Sequence, residues 1–164
     1  MRKIALVILL LLACVSAFAK HGKHKKKAAP VNEIISVSLR HTACYGRCPV
    51  YKIEVNKDGI ATYTATLFSP DTGVFTKKIG TKKAMEIINR FNTARVDTCK
   101  DNYPSRFTDL PGTVFNIQYK STMKMINDAS AGPPVLMELR QMMDSIIVTR
   151  KVDNTWHKTT EIPK

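Results

Sequence analysis

The sequence has few of the residues that define several specialised classes of protein. Among its 164 residues there are seven glycines, eight prolines, four cysteines and one tryptophan. These numbers exclude a collagen-like chain and a disulfide-dense miniprotein, and a hydrophobic content of 44% excludes a wholly disordered chain. Acidic residues are also scarce, with 13 Asp and Glu against 26 Lys and Arg. The sequence is therefore that of a basic protein, long enough for one globular domain.

The motifs of several enzyme classes are missing. We find no Ser-His-Asp order with supporting glycines, no Gly-rich loop that could hold a phosphate, and no pair of histidines on one predicted helix. The sequence therefore predicts no catalytic residue and no cofactor.

Long apolar runs are confined to the N-terminus. A basic start precedes an unbroken apolar run over residues 4–15, and Ala17 and Ala19 precede an abrupt change to Lys20. This pattern is typical of a secretory signal peptide. The run is shorter than the roughly 20 residues that a membrane-spanning helix needs. We predict a signal peptide over 1–19, cleavage between Ala19 and Lys20, and a periplasmic or extracellular protein without a transmembrane helix.

A lipid anchor is the alternative. The segment Leu-Leu-Ala-Cys at 11–14 resembles a lipobox, in which Cys14 would become the lipidated N-terminus. The two alternatives differ in the mass of the mature N-terminus.

A basic tail follows the signal. Residues 20–29 contain five lysines and two histidines but no large apolar residue, so we predict a flexible tail over 20–33. Its charge could attract an anionic envelope surface or an envelope protein. After export, nucleic acid is not an expected partner.

The hydrophobic pattern from residue 34 onwards predicts one α+β domain over 34–148. Period-two alternation and turn residues predict strands near 34–40, 50–55, 60–68, 74–79, 113–119 and 123–126. Helical spacing predicts helices over 81–95, with Thr81 as N-cap and Met85 on the apolar face, and over about 135–148. The order ββββαββα predicts an antiparallel sheet of about six strands with two helices packed on one face. Residues 149–164 are predicted to form a polar C-terminal tail.

The turn between the first two strands carries a resemblance to a known family. Residues 44–51 read Cys-Tyr-Gly-Arg-Cys-Pro-Val-Tyr, and weaker similarities follow at Asp58-Gly59, Tyr63, Tyr103 and 108–111. The sequence resembles a bacterial domain of unknown function, found in exported and lipid-anchored envelope proteins, with a Cys-x-Gly-x-Cys-Pro-x-Tyr motif. The resemblance covers about residues 34–148. It implies an envelope location and no particular activity.

Three cysteines remain once Cys14 is assigned to the signal. A tight turn at Gly46 can bring the Cα atoms of Cys44 and Cys48 within the roughly 4.4 to 6.8 Å that a disulfide requires. Export makes such a disulfide plausible, since oxidising compartments preserve it. Cys99 would then be an unpaired thiol. Alternatively, Cys99 could pair with either of the other two.

Other chemistry could use the same residues. Three thiolates and one imidazole form a known tetrahedral zinc site, and His41, Cys44, Cys48 and Cys99 could supply them. Two close cysteines could also support redox catalysis, although three intervening residues in a turn differ from the usual signature.

We therefore expect a non-catalytic binding or structural module with a Cys44–Cys48 disulfide in its first turn. The alternative is a thiol- or zinc-dependent activity. Candidate binding residues lie in the Cys turn and in the long loop predicted over 99–112, where function is often found. They are Tyr45, Arg47, Tyr51, Tyr103 and Asp109.

Overall fold

The computed structural model describes residues 33–107, 109–147 and 152–159. The predicted signal peptide, Cys14 and the tail up to residue 32 lie outside these ranges. The strands are β1 (Ile34–His41), β2 (Val50–Asn56), β3 (Ile60–Leu67), β4 (Gly73–Lys78), β5 (Asn102–Tyr103), β6 (Thr113–Tyr119), β7 (Met123–Asp128) and β8 (His157–Thr159). The helices are α1 (Thr81–Thr93) and α2 (Pro134–Asp144), and a 3₁₀ turn spans Val96–Thr98.

All eight of these strands form one sheet, in the order β5-β7-β6-β1-β2-β3-β4-β8. Every neighbouring pair is antiparallel except β5 and β7, which are parallel. The α+β class and the two helices are confirmed, but the prediction of about six antiparallel strands was wrong. The six predicted strands are present, and β5 and β8 extend the sheet at its two edges. Both are only two or three residues long, too short to show a period.

The hairpin between β2 and β3 depends on a glycine. Gly59 has φ +87°, as its Asp-Gly turn predicted, and a Cβ there would lie 2.5 Å from the carbonyl carbon of Gly80. The Gly59 carbonyl also accepts hydrogen bonds from the backbone N–H groups of Ile79 and Gly80. The turn therefore fixes the start of α1.

The two helices contribute their apolar faces to a core on one side of the sheet. In α1 the buried residues are Ala84, Ile87, Ile88 and Phe91, and in α2 they are Leu136, Leu139 and Met143. Met85 was predicted on the apolar face but is exposed. The buried face of α1 follows the i, i+3, i+4, i+7 spacing that starts at Ala84, and Met85 lies outside that face. The residue before α1 is Gly80, and Thr81 is the first helical residue rather than the N-cap.

The predicted polar tail contains one aromatic residue, Trp156, and its side chain is buried. Trp156 packs edge-on against Tyr63, with ring centroids 6.2 Å apart, and the amine of Lys77 lies 5.7 Å from the Trp156 ring. This contact brings the following residues beside β4, where they form β8. Among the described residues, no helix has the length and hydropathy to span a membrane.

Candidate Cys-turn binding site

Three loops meet at one end of the sheet. The register pairs His41 with Thr113 and Val50 with Leu67, so the ends of these strands lie side by side. We call the loops 42–49, 68–72 and 104–112 the Cys-turn end; Thr108 is outside the described residues. It includes two segments that the sequence analysis selected, the Cys turn and the later part of the long loop.

The first loop is closed by the predicted disulfide. Cys44 and Cys48 are bonded, with their Cα atoms 5.7 Å apart, and the backbone N–H of Gly46 donates to Sγ of Cys44 at 3.3 Å. The prediction of this bond is confirmed. Of the three cysteines in the described ranges, Cys99 is free, and it is half-buried against the core.

Backbone hydrogen bonds hold the Cys turn against the loop that precedes β6. The N–H of Tyr45 donates to the carbonyl of Asp109 at 3.2 Å. The N–H of Thr42 donates to the carbonyl of Gly112 at 3.0 Å, and the Gly112 N–H returns a bond to Oγ1 of Thr42 at 2.8 Å. Two loops that are about 65 residues apart in sequence are thereby braced against each other.

The Cys-turn end exposes five large apolar side chains. The exposed fraction is 94% for Tyr45, 67% for Phe107, 55% for Leu67 and Phe68, and 50% for Leu110. We call these five residues the apolar rim. The loop that carries Phe107 and Leu110 leads into β6, and Leu67 ends β3. These two strands are three positions apart in the sheet, so the rim extends over roughly 14 Å. Soluble domains expose single apolar residues routinely, but a group at one end is typical of an interaction surface.

One rim residue has an unusual backbone conformation. Phe68 has φ +52°, in the left-handed region that bulky side chains rarely adopt. Such a conformation costs on the order of 1 kcal/mol or more and persists where the surrounding structure enforces it. The corner between β3 and β4 thus keeps an exposed phenylalanine in a strained conformation.

A polar cluster lies beneath the Cys turn. Nε2 of His41 lies 2.9 Å from Oδ1 and 3.1 Å from Oδ2 of Asp144, and the Tyr51 hydroxyl donates to Oδ1 of Asp144 at 2.9 Å. The His41 and Tyr51 rings also pack together, with centroids 4.5 Å apart. The cluster joins the end of β1, the start of β2 and the end of α2. It fixes both strands from which the Cys turn emerges.

Asp144 is a residue of the candidate site that the sequence did not predict. It is the last residue of α2, where a carboxylate faces the negative end of the helix dipole. Hydrogen bonds from His41 and Tyr51 offset that unfavourable position. An acidic residue at a helix C-terminus is the available sequence signal, but its partner is 103 residues away and only the fold reveals it.

The structure separates the candidate binding residues into two groups. Tyr45, Arg47 and Asp109 are exposed at the Cys-turn end. Tyr51 is buried, and its hydroxyl donates a hydrogen bond to Asp144. Tyr103 lies on β5, where its hydroxyl accepts a bond from the Lys100 N–H. Tyr51 and Tyr103 therefore support the loops from within.

The residues of the alternative zinc site are engaged elsewhere. Cys44 and Cys48 form a disulfide with each other, and His41 is hydrogen-bonded to Asp144. In the part of the chain that the structure describes, no three His, Cys, Asp or Glu residues form a group that could hold a metal ion. This arrangement favours the disulfide-containing turn over a thiolate site.

The opposite face of the sheet carries a separate polar groove. It has a volume of about 500 Å³, and its lining includes Ser36, Lys52, Glu54, Asn56 and Thr62. Nζ of Lys52 lies 2.6 Å from Oε2 of Glu54, so these two charges of the groove neutralise each other. The groove is less distinctive than the apolar rim as a binding surface.

Comparison with known sequences assigns this chain to a family. Residues 35–147, which include the Cys turn, Asp144 and most of the sheet, match a domain of unknown function, DUF6438. The chain belongs to this family. A search of curated proteins found no match. The DUF6438 match covers all five residues of the apolar rim and all three of the polar cluster.

Proposed function

We propose that this DUF6438 protein is an exported, non-catalytic binding module that holds its partner at the Cys-turn end. The observation that carries the proposal is the apolar rim: five large side chains, each at least half exposed, at one end of the sheet. Burying one such side chain against a partner contributes on the order of 1.5 to 3 kcal/mol relative to water.

Two of the loops that carry the rim, 42–49 and 104–112, are held in place before any partner arrives. The Cys44–Cys48 disulfide closes the first loop, the Tyr45–Asp109 hydrogen bond ties it to the second, and Asp144 anchors the strands below. A partner therefore meets a surface that is already ordered, and less conformational entropy is lost on binding.

The proposed export rests on the N-terminal sequence and on the disulfide. A basic start, an apolar run and small residues before Lys20 support a signal peptide. A surface disulfide is suited to an oxidising compartment. Mass spectrometry of the mature protein tests the proposal: an N-terminus at Lys20 supports cleavage, a lipidated Cys14 supports the anchored alternative, and an intact Met1 contradicts both.

Photo-crosslinking in the source cells tests the binding role. A photoreactive amino acid replaces Tyr45 at the rim, and in a matched variant it replaces Met137, which is 49% exposed on α2. We expect discrete crosslinked products, to a protein or to lipid, from position 45 and none from position 137. Equal, diffuse labelling from both positions would show that the rim does not bind a specific partner.

A further inference from the structure

Three arginines lie on the loops of the Cys-turn end or next to them. Arg40, Arg47 and Arg106 are exposed on β1 and on the two braced loops. Within the ranges that the structure describes, none of the three forms an ion pair. Other surface cations of the domain, such as Lys83 and Arg90, lie beside glutamates. The guanidinium groups at the Cys-turn end are therefore available to an anion.

Four described carboxylates lie at this end, and three of them, those of Asp71, Asp128 and Asp144, are half-buried and accept hydrogen bonds. On the three loops the described acidic residues are Asp71 and Asp109, and Oδ2 of Asp71 accepts the Val152 N–H at 3.0 Å. Asp144 lies beneath them and is bonded to His41 and Tyr51. Among the fully exposed charged side chains on these loops and the adjoining end of β1, three arginines therefore stand against one carboxylate, that of Asp109.

From this combination we infer that the partner of the Cys-turn end is an anionic phospholipid surface. The inference rests on the proposed binding role and names its partner. Tyrosine and phenylalanine are suited to the boundary between headgroups and acyl chains, and guanidinium groups pair with phosphate through two parallel hydrogen bonds. The rim lies at one end of the sheet, which lets several apolar side chains enter such a boundary together.

A protein partner is the competing explanation, and the arrangement fits it less well. Apolar side chains on separate loop tips suit shallow insertion, whereas a protein interface requires a continuous complementary surface of about 800 Å² on each side. Each basic residue near an anionic membrane also strengthens attachment several-fold, which gives the three arginines a direct role.

Co-sedimentation with protein-free vesicles tests the inference. The purified, oxidised protein is mixed with vesicles of phosphatidylglycerol and phosphatidylcholine, or of phosphatidylcholine alone. We expect sedimentation with the anionic vesicles and much less with the neutral ones. Tyr45→Ser with Leu110→Ser should weaken binding about tenfold or more, and Arg47→Gln with Arg106→Gln about 30-fold at low salt.

Matched variants separate the rim from the rest of the chain. Met85→Ser with Met137→Ser removes exposed apolar residues from the helices, and Lys78→Gln with Lys82→Gln removes two exposed charges elsewhere. Both should bind as the wild type does. All variants keep residues 20–33, so a contribution from the predicted basic tail is common to them. If the rim variants sediment like the wild type, the tail binds the lipid and the inference is wrong.

Phe68→Asn removes a rim side chain without destabilising the fold, so it separates a loss of vesicle binding from a loss of folding. Asparagine tolerates the left-handed conformation found at this position, so the variant should be at least as stable as the wild type and yet bind vesicles more weakly. Unchanged vesicle binding by this stable variant would count against insertion of the rim.

The two proposals fail in different ways. Protein crosslinks from position 45 without vesicle binding would overturn the lipid inference and leave the binding module intact. The absence of both specific crosslinks and vesicle binding would overturn both.

Discussion

Nε2 of His41, at the end of β1, lies 2.9 Å from Oδ1 of Asp144, at the end of α2. The two residues are 103 positions apart, and the Tyr51 hydroxyl donates to the same carboxylate oxygen. One side chain therefore connects a helix to the two strands that carry the Cys turn.

We predict that Asp144→Ala lowers the free energy of unfolding by about 1 to 3 kcal/mol, because two buried or half-buried polar groups lose their shared acceptor. Urea denaturation measures the change. Glu138→Ala is the matched control, since Glu138 lies on the same helix and forms only an exposed pair with Arg90. That substitution should cost less than about 1 kcal/mol. Equal effects of the two substitutions would contradict the anchoring role of Asp144.

The disulfide should stabilise the domain modestly. Replacing Cys44 and Cys48 by serine is expected to lower the unfolding free energy by about 2 kcal/mol, the chain-entropy value for a closed loop of about five residues. A reductant should destabilise the wild-type protein by a similar amount and leave the double variant unchanged. A wild-type unfolding curve that does not respond to a reductant would show that the bond contributes nothing to stability.

Two glycines with similar φ values should respond differently to a Cβ. Gly59 and Gly80 have φ +87° and +82°, but a Cβ at Gly59 would lie 2.5 Å from backbone, whereas nothing lies within 4 Å at Gly80. We expect Gly80→Ala to cost about 1 to 2 kcal/mol for its conformation alone. Gly59→Ala should cost clearly more, because the β2–β3 turn and the start of α1 must also separate. Thermal denaturation of both variants makes the comparison, and equal losses would show that the close approach is relieved without cost.

Tyr119 should reduce stability at alkaline pH. Burial raises the pKa of its hydroxyl, and the nearby negative charge of Asp97 adds to the shift. The folded state therefore holds this proton more tightly than the unfolded chain. The contribution to stability is complete below the ordinary tyrosine value of about pH 10 and is lost as the pH rises through the folded-state pKa. Tyr119→Phe should remove this part of the alkaline loss.

Ultraviolet titration isolates the same group. The tyrosinate absorbance of the wild type minus that of Tyr119→Phe reports one hydroxyl among the five tyrosines. A difference curve centred at or below about pH 10 would contradict the raised pKa.

The sequence predicted those parts of the fold that depend on local periodicity. Strands such as Val50–Asn56 alternate buried and half-buried residues, and the spacing of Ile87, Ile88 and Phe91 identifies α1. β8 was missed because His157, Lys158 and Thr159 have no apolar period of their own. Burial of Trp156 brings them to the sheet, and in the sequence the only local signal was the presence of this one large ring.

The site was predictable to a similar extent. The spacing of Cys44 and Cys48 around Gly46 indicated the disulfide, and the exposed Tyr45 and Arg47 came with it. Asp144 could not be identified in this way, because its partners are brought to it by the packing of α2 against β1 and β2. Phe68, Leu67 and Leu110 were likewise not predicted as surface residues, since their exposure depends on where the strands end.

The direction of β1 has a practical consequence for handling the protein. The strand starts at Ile34 and reaches the Cys-turn end only at His41, a distance of roughly 24 Å. β8 runs antiparallel to β4 and pairs Thr159 with Val74, so the described chain finishes on the same side as the binding loops. An affinity handle or fluorophore joined ahead of Glu33 attaches at the far pole from the loops, whereas one joined after Thr159 attaches beside them. Immobilisation through the N-terminal side is therefore the orientation that leaves the loops accessible in a binding assay.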